Sequence, residues 1–287
     1  MISIGKLIKK FPIRPLDSSK ADFGHVLVVA GSAGYTGAAY LSSQAAVRSG
    51  GGLVTLAVPE SLHCIMAAKL TEVMVKSCPE TKERSLGIDA EGGLLRFAGR
   101  CNSFAIGPGL SRNNQTARLV RKLVAKLDRP IVLDADGINA FDGYAGELKK
   151  ARGPLVLTPH PGELARLTGE SIAKIERFRK DVALETAREY NIVLVLKGHN
   201  TVVAGPRGEF YINRTGNPGM ASGGVGDLLT GIIAAFVAQG VEPFDAAALG
   251  TYFHGLAGDL AVRDKGSLGL IATDLLDKLP EVLKRLG

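Results

Sequence analysis

One stretch constrains this chain more than any other: Asn217-Pro218-Gly219-Met220-Ala221-Ser222-Gly223-Gly224-Val225-Gly226-Asp227, followed at once by the apolar run Leu228 to Ala238. The run reads as a buried core helix, and the glycines as the loop that enters it. The first amides of a helix have no internal partner and carry partial positive charge. Glycines let the backbone approach an anion closely and adopt positive φ, so this entry is a cradle for phosphate or an oxyanion. Asp227 stands where its own charge repels such an anion. Two readings fit the spacing. The carboxylate caps the helix, or it does chemistry, taking a proton from an attacking hydroxyl.

A core large enough for such a helix is available. The chain has 287 residues, 46% of them hydrophobic and 22% charged, which suits one large α/β domain or two small ones. A net charge of +7 fits anionic small molecules. No dense basic block occurs and aromatic residues make up only 6%, so nucleic acid gains no support. Cys64, Cys78 and Cys101 are widely spaced and form no CxxC, which argues against a disulfide scaffold or a zinc site and fits a reducing cytoplasm. The N-terminus lacks the apolar core and cleavage site of a signal peptide. Leu228–Ala238 is too short to span a membrane, and no other run reaches the required length.

Strands alternate with helices along the chain. Residues 1–22 look like an irregular lead-in, with a single domain expected over 1–287 and 1–19 as its lead. His25–Ala30 is apolar without alternation, as in a strand covered on both faces. A glycine-rich loop, Gly31 to Gly37, leads into a helix near Ala38–Ser49; GxGxxG spacing is absent, so this is not a dinucleotide fingerprint. Further strands are expected at Leu53–Val58, Glu72–Ser77, Ser103–Ile106, Pro130–Leu133, Leu155–Leu157 and Asn191–Leu196. Helices are expected at Ser61–Leu70, Asn113–Leu127 and, as one long charged helix, Ile172–Tyr190. Residues 79–93 read as irregular surface. Val202–Ala204 and Glu209–Ile212 form a hairpin around Gly205-Pro206-Arg207-Gly208. A mainly apolar helix spans Pro243–Val262, with His254 and Asp259 serving packing and hydrogen bonding. The last helix starts near Thr273 and is interrupted at Pro280. The alternation predicts a mostly parallel sheet with helices on both faces.

Several polar residues fall at carboxyl ends of strands, where open parallel sheets bind ligands. Gly107-Pro108-Gly109 is one such turn. Asp134 and Asp136 lie on one side of an extended chain, as an acidic pair for Mg²⁺ might, although a turn using Asp for local hydrogen bonds accounts for at least one of them. Pro159 and Pro161 fix the backbone around His160 and hold its side chain out toward a ligand. Glu163 caps the next helix or polarises a neighbour. Lys197 can reach a phosphate, and Thr201 offers a hydroxyl.

Taken together, Lys20-Ala21-Asp22-Phe23-Gly24-His25, Gly107-Pro108-Gly109, Asp134-Ala135-Asp136, Thr158-Pro159-His160-Pro161-Gly162-Glu163, Lys197-Gly198-His199-Asn200-Thr201 and Gly223-Gly224-Val225-Gly226-Asp227 resemble the ADP- or ATP-dependent NAD(P)H-hydrate dehydratase family, from about Lys20 to the C-terminus. The glycine–Asp element is common to many ribokinase-like kinases; its combination with TPHPGE and KGxxT is far more specific. At Val225 the sequence departs from the Thr or Ser often found there.

The resemblance implies a ribokinase-like three-layer sandwich and a hydro-lyase that repairs hydrated NADH and NADPH. ADP, or ATP, would phosphorylate the ring hydroxyl of the S epimer, and elimination would release phosphate with AMP or ADP. The single-domain layout leans toward ADP. The implied roles are Asp227 as catalytic base; Ala38 or Ala39, Gly109, His160 and Asp227 around the hydrated cofactor; Lys197, Gly198, His199, Asn200, Thr201 and Gly226 around the adenine nucleotide; and the amides of Gly224, Val225 and Gly226 as anion hole. Mg²⁺ would bridge the nucleotide phosphates, with no dedicated protein metal site. Expected company is a homotetramer in the cytoplasm and a separate NAD(P)H-hydrate epimerase for the R epimer, since too few residues precede Lys20 to form a fused one. A vitamin-precursor kinase of the same fold and a silent nucleotide-binding regulator are the rival readings.

Overall fold

A computed structural model describes residues 2–286. Nine strands form one sheet: β1 (His25–Val29), β2 (Leu53–Pro59), β3 (Met74–Cys78), β4 (Ser103–Ile106), β5 (Ile131–Leu133), β6 (Leu155–Leu157), β7 (Val193–Leu196), β8 (Val202–Ala204) and β9 (Phe210–Ile212). Their spatial order is β3-β2-β1-β4-β5-β6-β7-β8-β9. Pairing is parallel from β3 through β7 and antiparallel from β7 to β9. The apolar runs of β1, β4 and β5 are buried throughout because helices cover both faces of the sheet. Alternate residues feed two cores. Val26 and Val28 point into one and Leu27 and Val29 into the other. The layers are therefore helix, sheet, helix, as expected.

One helical layer holds Thr36–Arg48, Val225–Ala238, Pro243–Lys265 and Ala272–Leu283. Val225–Ala238 is buried at twelve positions, all but Gly226 and Asp227 of its fourteen. Ser103 of β4 donates to the Ala234 carbonyl at 2.7 Å and fixes this helix across the sheet. Gly231 lets it press on Thr36–Arg48, since a Cβ there would stand 2.0 Å from the Ser42 carbonyl oxygen. The other layer contains Ala90–Ala98, Asn114–Lys126, Pro161–Thr168 and Arg179–Tyr190. Asn113 caps Asn114–Lys126 by accepting from the amides of Gln115 and Thr116.

Five expectations are corrected. The lead-in contains a helix, Ile4–Ile8, because Ile4, Leu7 and Ile8 line one face and rest on the core. Residues 79–93 are not simply surface. Leu86 is buried, Thr116 donates to its carbonyl and to the Ser85 hydroxyl, and a helix begins at Ala90. Ile172–Tyr190 breaks at Phe178, where φ is −124°, and Arg179 then anchors the second piece by donating to the carbonyls of Leu196 and Lys197. Pro280 does not interrupt the last helix, whose final turn is held by buried Leu279 and Val282. Its start is capped by Asp274, which accepts from the Ile271 amide, and not by Thr273. Among the described residues no helix is long and apolar enough to cross a membrane.

The contact at Gly231 is unforgiving. Gly231→Ala should destabilise the fold by about 1–3 kcal/mol, as overpacking does. Gly93→Ala, in a helix where nothing lies within 4 Å of the added methyl, should be neutral or stabilising by up to about 1 kcal/mol. Urea midpoints of the two variants check both signs.

Candidate active site

The order of the sheet reverses between β1 and β4, and the loops leaving these two strands face each other there. Gly31 donates to the Pro108 carbonyl, and the Ser32 hydroxyl to the Gly109 carbonyl at 2.8 Å. Gly109 has φ +63°, and a Cβ on it would lie 2.8 Å from Tyr35 Cβ and 3.1 Å from Ala38 Cβ. Ala38 thus faces Gly109 from a half-buried position. Ala39 is fully buried beneath Gly31.

The glycine element lies alongside. Gly224, at φ +87°, turns the chain into the helix Val225–Ala238. Backbone amides of Gly224 and Gly226 donate to no group among the described residues, whereas the Val225 amide is turned to the Ser222 carbonyl at 3.4 Å. Two of the three expected cradle amides are therefore open. The loop is tethered from behind. Asp259 accepts from the Gly216 amide at 2.9 Å and from Asn217 Nδ2 at 3.1 Å. His254 is buried, which pulls its pKa down to about 4, so the neutral ring donates Nε2–H to the Val225 carbonyl at 2.9 Å. Both residues serve hydrogen bonding, as the sequence suggested.

Asp227 does not cap the helix, which has no side-chain cap. Its carboxyl accepts no hydrogen bond from any described group. Burial pushes its pKa up to about 7, and the nearby carboxylate of Asp134 pushes in the same direction against the ammonium of Lys197. A carboxyl poised near neutrality and unused structurally is equipped for proton transfer.

Lys197 and Asp134 form the floor. Lys197 Nζ lies 2.6 Å from Asp134 Oδ1 and 3.9 Å from Glu163 Oε2. Burial disfavours its charge, but Asp134 and Glu163 outweigh that and raise its pKa, so it stays cationic. Asp134 also accepts from the Thr230 hydroxyl at 2.8 Å. Gly226 is the close-approach position here, because a Cβ on it would lie 3.4 Å from Lys197 Nζ. The acidic pair with Asp136 does not form. Ala135 adopts φ +48°, which breaks the extended geometry; Asp136 then turns to accept from the Ser111 amide and Asn139 Nδ2. Sequence reasoning missed Asp134 as the counterion of Lys197, and Thr230 entirely. The only signal was an Asp and a Lys each ending an apolar strand.

His160 caps the helix Pro161–Thr168, its Nδ1 accepting from the amides of Gly162 and Glu163. Glu163 completes the box by accepting from the His160 amide at 2.8 Å. The ring is still 52% exposed, with Nε2 3.4 Å from Glu163 Oε1. Beyond Lys197, Gly198 packs under the Arg179 guanidinium, the Thr201 hydroxyl donates to the Gly198 carbonyl, and His199 and Asn200 are exposed. Asn200 lines a cavity of about 300 Å³ with Arg179, Lys180 and Arg214. Ala38 lies in the helix after β1, Gly109 and His160 in the turns after β4 and β6, and Lys197 to Thr201 follow β7. Of these elements, Lys197 and Glu163 are near enough to Asp227 to act on its charge.

Known proteins are similar to this chain in sequence and fold. The family model for NAD(P)H-hydrate dehydratase matches residues 26–281. A bifunctional NAD(P)H-hydrate repair enzyme, Nnr, of Moorella thermoacetica is 50% identical over 277 residues, 96% of this chain and 52% of its own length. This chain spans about half the length of such bifunctional relatives. The ADP-dependent (S)-NAD(P)H-hydrate dehydratase of Xanthomonas campestris is 34% identical over 96% of this chain and 93% of its own. The crystal structure of the ADP/ATP-dependent NAD(P)H-hydrate dehydratase from Bacillus subtilis, co-crystallised with ATP and Mg²⁺, superposes with a TM-score of 0.84 at 31% identity, covering 99% of this chain and 98% of that one. With this fold, these strand-end motifs and these matches, the chain belongs to the NAD(P)H-hydrate dehydratase family, within the ribokinase-like fold.

Proposed function

We propose that the chain dehydrates the S epimer of hydrated NADH and NADPH at the expense of ADP, releasing AMP and phosphate. The observation that carries this reading is Asp227, a carboxyl with a pKa near 7 at the mouth of an anion cradle, with no structural task. Hydroxide leaves poorly at neutral pH. Asp227 takes the proton of the ring hydroxyl as its oxygen bonds to the β-phosphorus of ADP, and the bond from that phosphorus to the AMP oxygen breaks. The ring nitrogen then expels phosphate by breaking the C–O bond, and loss of a proton from the adjacent ring carbon restores the reduced nicotinamide. The open amides of Gly224 and Gly226 face the charge that develops on the transferring group.

The hydrated ring lies on the Ala38, Gly109 and His160 side, with Ala38 and not buried Ala39 as the contact. ADP lies on the side of Lys197, Gly198, His199, Asn200 and Thr201, and Gly226 separates the two. Mg²⁺ fits this site as a companion of the nucleotide. Asp134, Glu163 and Asp227 face a single lysine, so a polyphosphate needs added positive charge to enter. Among the described residues no three metal-ligating side chains converge, so phosphate oxygens and water would supply most of its shell. The half-length match to bifunctional repair enzymes supports a partner activity, an NAD(P)H-hydrate epimerase acting on the R epimer. A cytoplasmic homotetramer completes the reading, with exposed Ile13, Leu16 and Leu268 as apolar surface for contacts between copies.

Purified protein with Mg²⁺, hydrated NADH and ADP should regain absorbance at 340 nm while releasing AMP and phosphate. ATP in a parallel cuvette reports the donor preference. A flat trace with both donors, from protein that binds nucleotide, contradicts the reading and favours a small-molecule kinase. Asp227→Asn should lower turnover by about 10²–10⁴-fold, the usual scale for losing a general base, while calorimetry still registers ADP. Unchanged turnover in that variant removes Asp227 from the mechanism.

A further inference from the structure

One cavity of the fold contains none of the residues given a ligand role above. It holds about 520 Å³, the size of a small-ligand site, and opens beside the helix Asn114–Lys126. Arg112, Arg118 and Arg121 line it with Tyr144. Arg118 and Arg121 lie on one helix face, three residues apart. Arg121 is committed: it donates to the Ala140 carbonyl, sits 3.5 Å from Glu147, and stacks its guanidinium 4.1 Å from the Tyr144 ring centroid. Arg112 and Arg118 are exposed and pair with no carboxylate among the described residues. Asp136 and Asp142 share the cavity, but Asp136 is occupied by the Ser111 amide and Asn139.

The wall of the cavity includes near neighbours of the centre's residues. Ser111, two residues beyond Gly109, and Asp136, two beyond Asp134, are in its wall. Asn139, also in the wall, accepts from Arg166 Nε at 3.0 Å. Arg166 in turn approaches Gly162 beside His160. These neighbours belong to the turns after β4 and β5 and reach the His160 turn through Arg166, whereas the smaller cavity is lined by Asn200 beyond β7.

A dinucleotide whose ring sits by Asp227 carries an adenosine half that needs a site of its own, and this cavity adjoins the turns after β4 and β5. We propose that the Arg112–Arg118 cavity takes that half, and that the two free arginines read the 2′-phosphate of the NADP form, favouring hydrated NADPH over hydrated NADH. The proposal rests on the dehydratase reading given above. Guanidinium forks match phosphate oxygens in pairs, and the Arg121–Tyr144 stack gives the adenine a flat cationic–aromatic floor.

Two measurements test it. First, the combined variant Arg112→Ala/Arg118→Ala should lower the ratio of kcat/KM for hydrated NADPH to that for hydrated NADH by about 10–100-fold, as loss of charged hydrogen bonds implies, with KM for ADP held. An unaltered ratio, or a raised KM for ADP instead, overturns the proposal. Second, calorimetry with adenosine 2′,5′-bisphosphate should show binding to the parent chain that the double variant loses, while adenosine 5′-monophosphate discriminates little between the two. Equal binding of the bisphosphate by both proteins overturns the assignment. This second probe needs no turnover. A parent chain that dehydrates neither hydrate, yet binds the bisphosphate through the two arginines, sinks the dehydratase reading and leaves the phosphate site standing.

Discussion

The buried ion pair between Lys197 and Asp134 is the interaction on which the rest of the site depends. It joins the ends of β7 and β5 across β6, which lies between them. Through Thr230 it reaches the helix that carries Asp227. Breaking such a pair by removing one partner leaves an uncompensated charge and costs about 3–5 kcal/mol. Its geometry sets the electrostatics above it. Lys197 stays charged because Asp134 and Glu163 face it, and Asp227 is held toward its neutral form by burial and by the same Asp134. One buried pair thereby keeps Lys197 cationic and helps hold the Asp227 carboxyl near neutrality.

The backbone completes what the side chains begin. Helix Val225–Ala238 has no side-chain cap, and the amides of Gly224 and Gly226 at its entry stay open. That arrangement is costly unless the loop is held in place, and His254 and Asp259 do so from the neighbouring helix. Glycine is required at Gly109, where φ is +63° and a Cβ would press on Tyr35 and Ala38. The strand ends that meet at the sheet's reversal bring Gly31, Ser32, Pro108 and Gly109 together, and the turn after β7 brings Lys197 to Asp134.

The fold was largely legible because its signals are local. An unbroken apolar run marked β1 as a strand covered on both faces, short apolar runs marked β4 and β5 as strands, and Asn113 marked its helix start. The glycine–Asp element announced both an anion cradle and an unusual carboxyl. What sequence reading lost depends on distant partners. Residues 79–93 look polar until Thr116, far along the chain, donates to Ser85 and Leu86. The break at Phe178 makes sense only once Arg179 is seen to hold the end of β7. Asp134 and Asp136 read as a pair because an extended chain was assumed, and a single left-handed residue, Ala135, separates their roles. Spacing alone gave no difference between Ala38 and Ala39; in the fold Ala38 is half-buried and Ala39 fully buried.

The central claim is that Asp227 titrates near neutrality because it is buried beside Asp134. Carbon-13 labelling of aspartate carboxyls, with Asp227→Asn to assign the signal, measures this directly. The account predicts a midpoint near 7, as burial and Asp134 set it. The base form is then present above that pH and is lost as pH falls through it. Replacing Asp134 with Asn should move the midpoint down. A midpoint at about 4, the ordinary aspartate value, in the parent chain would contradict the account, because the carboxyl would then carry its charge at every working pH without any tuning by its surroundings.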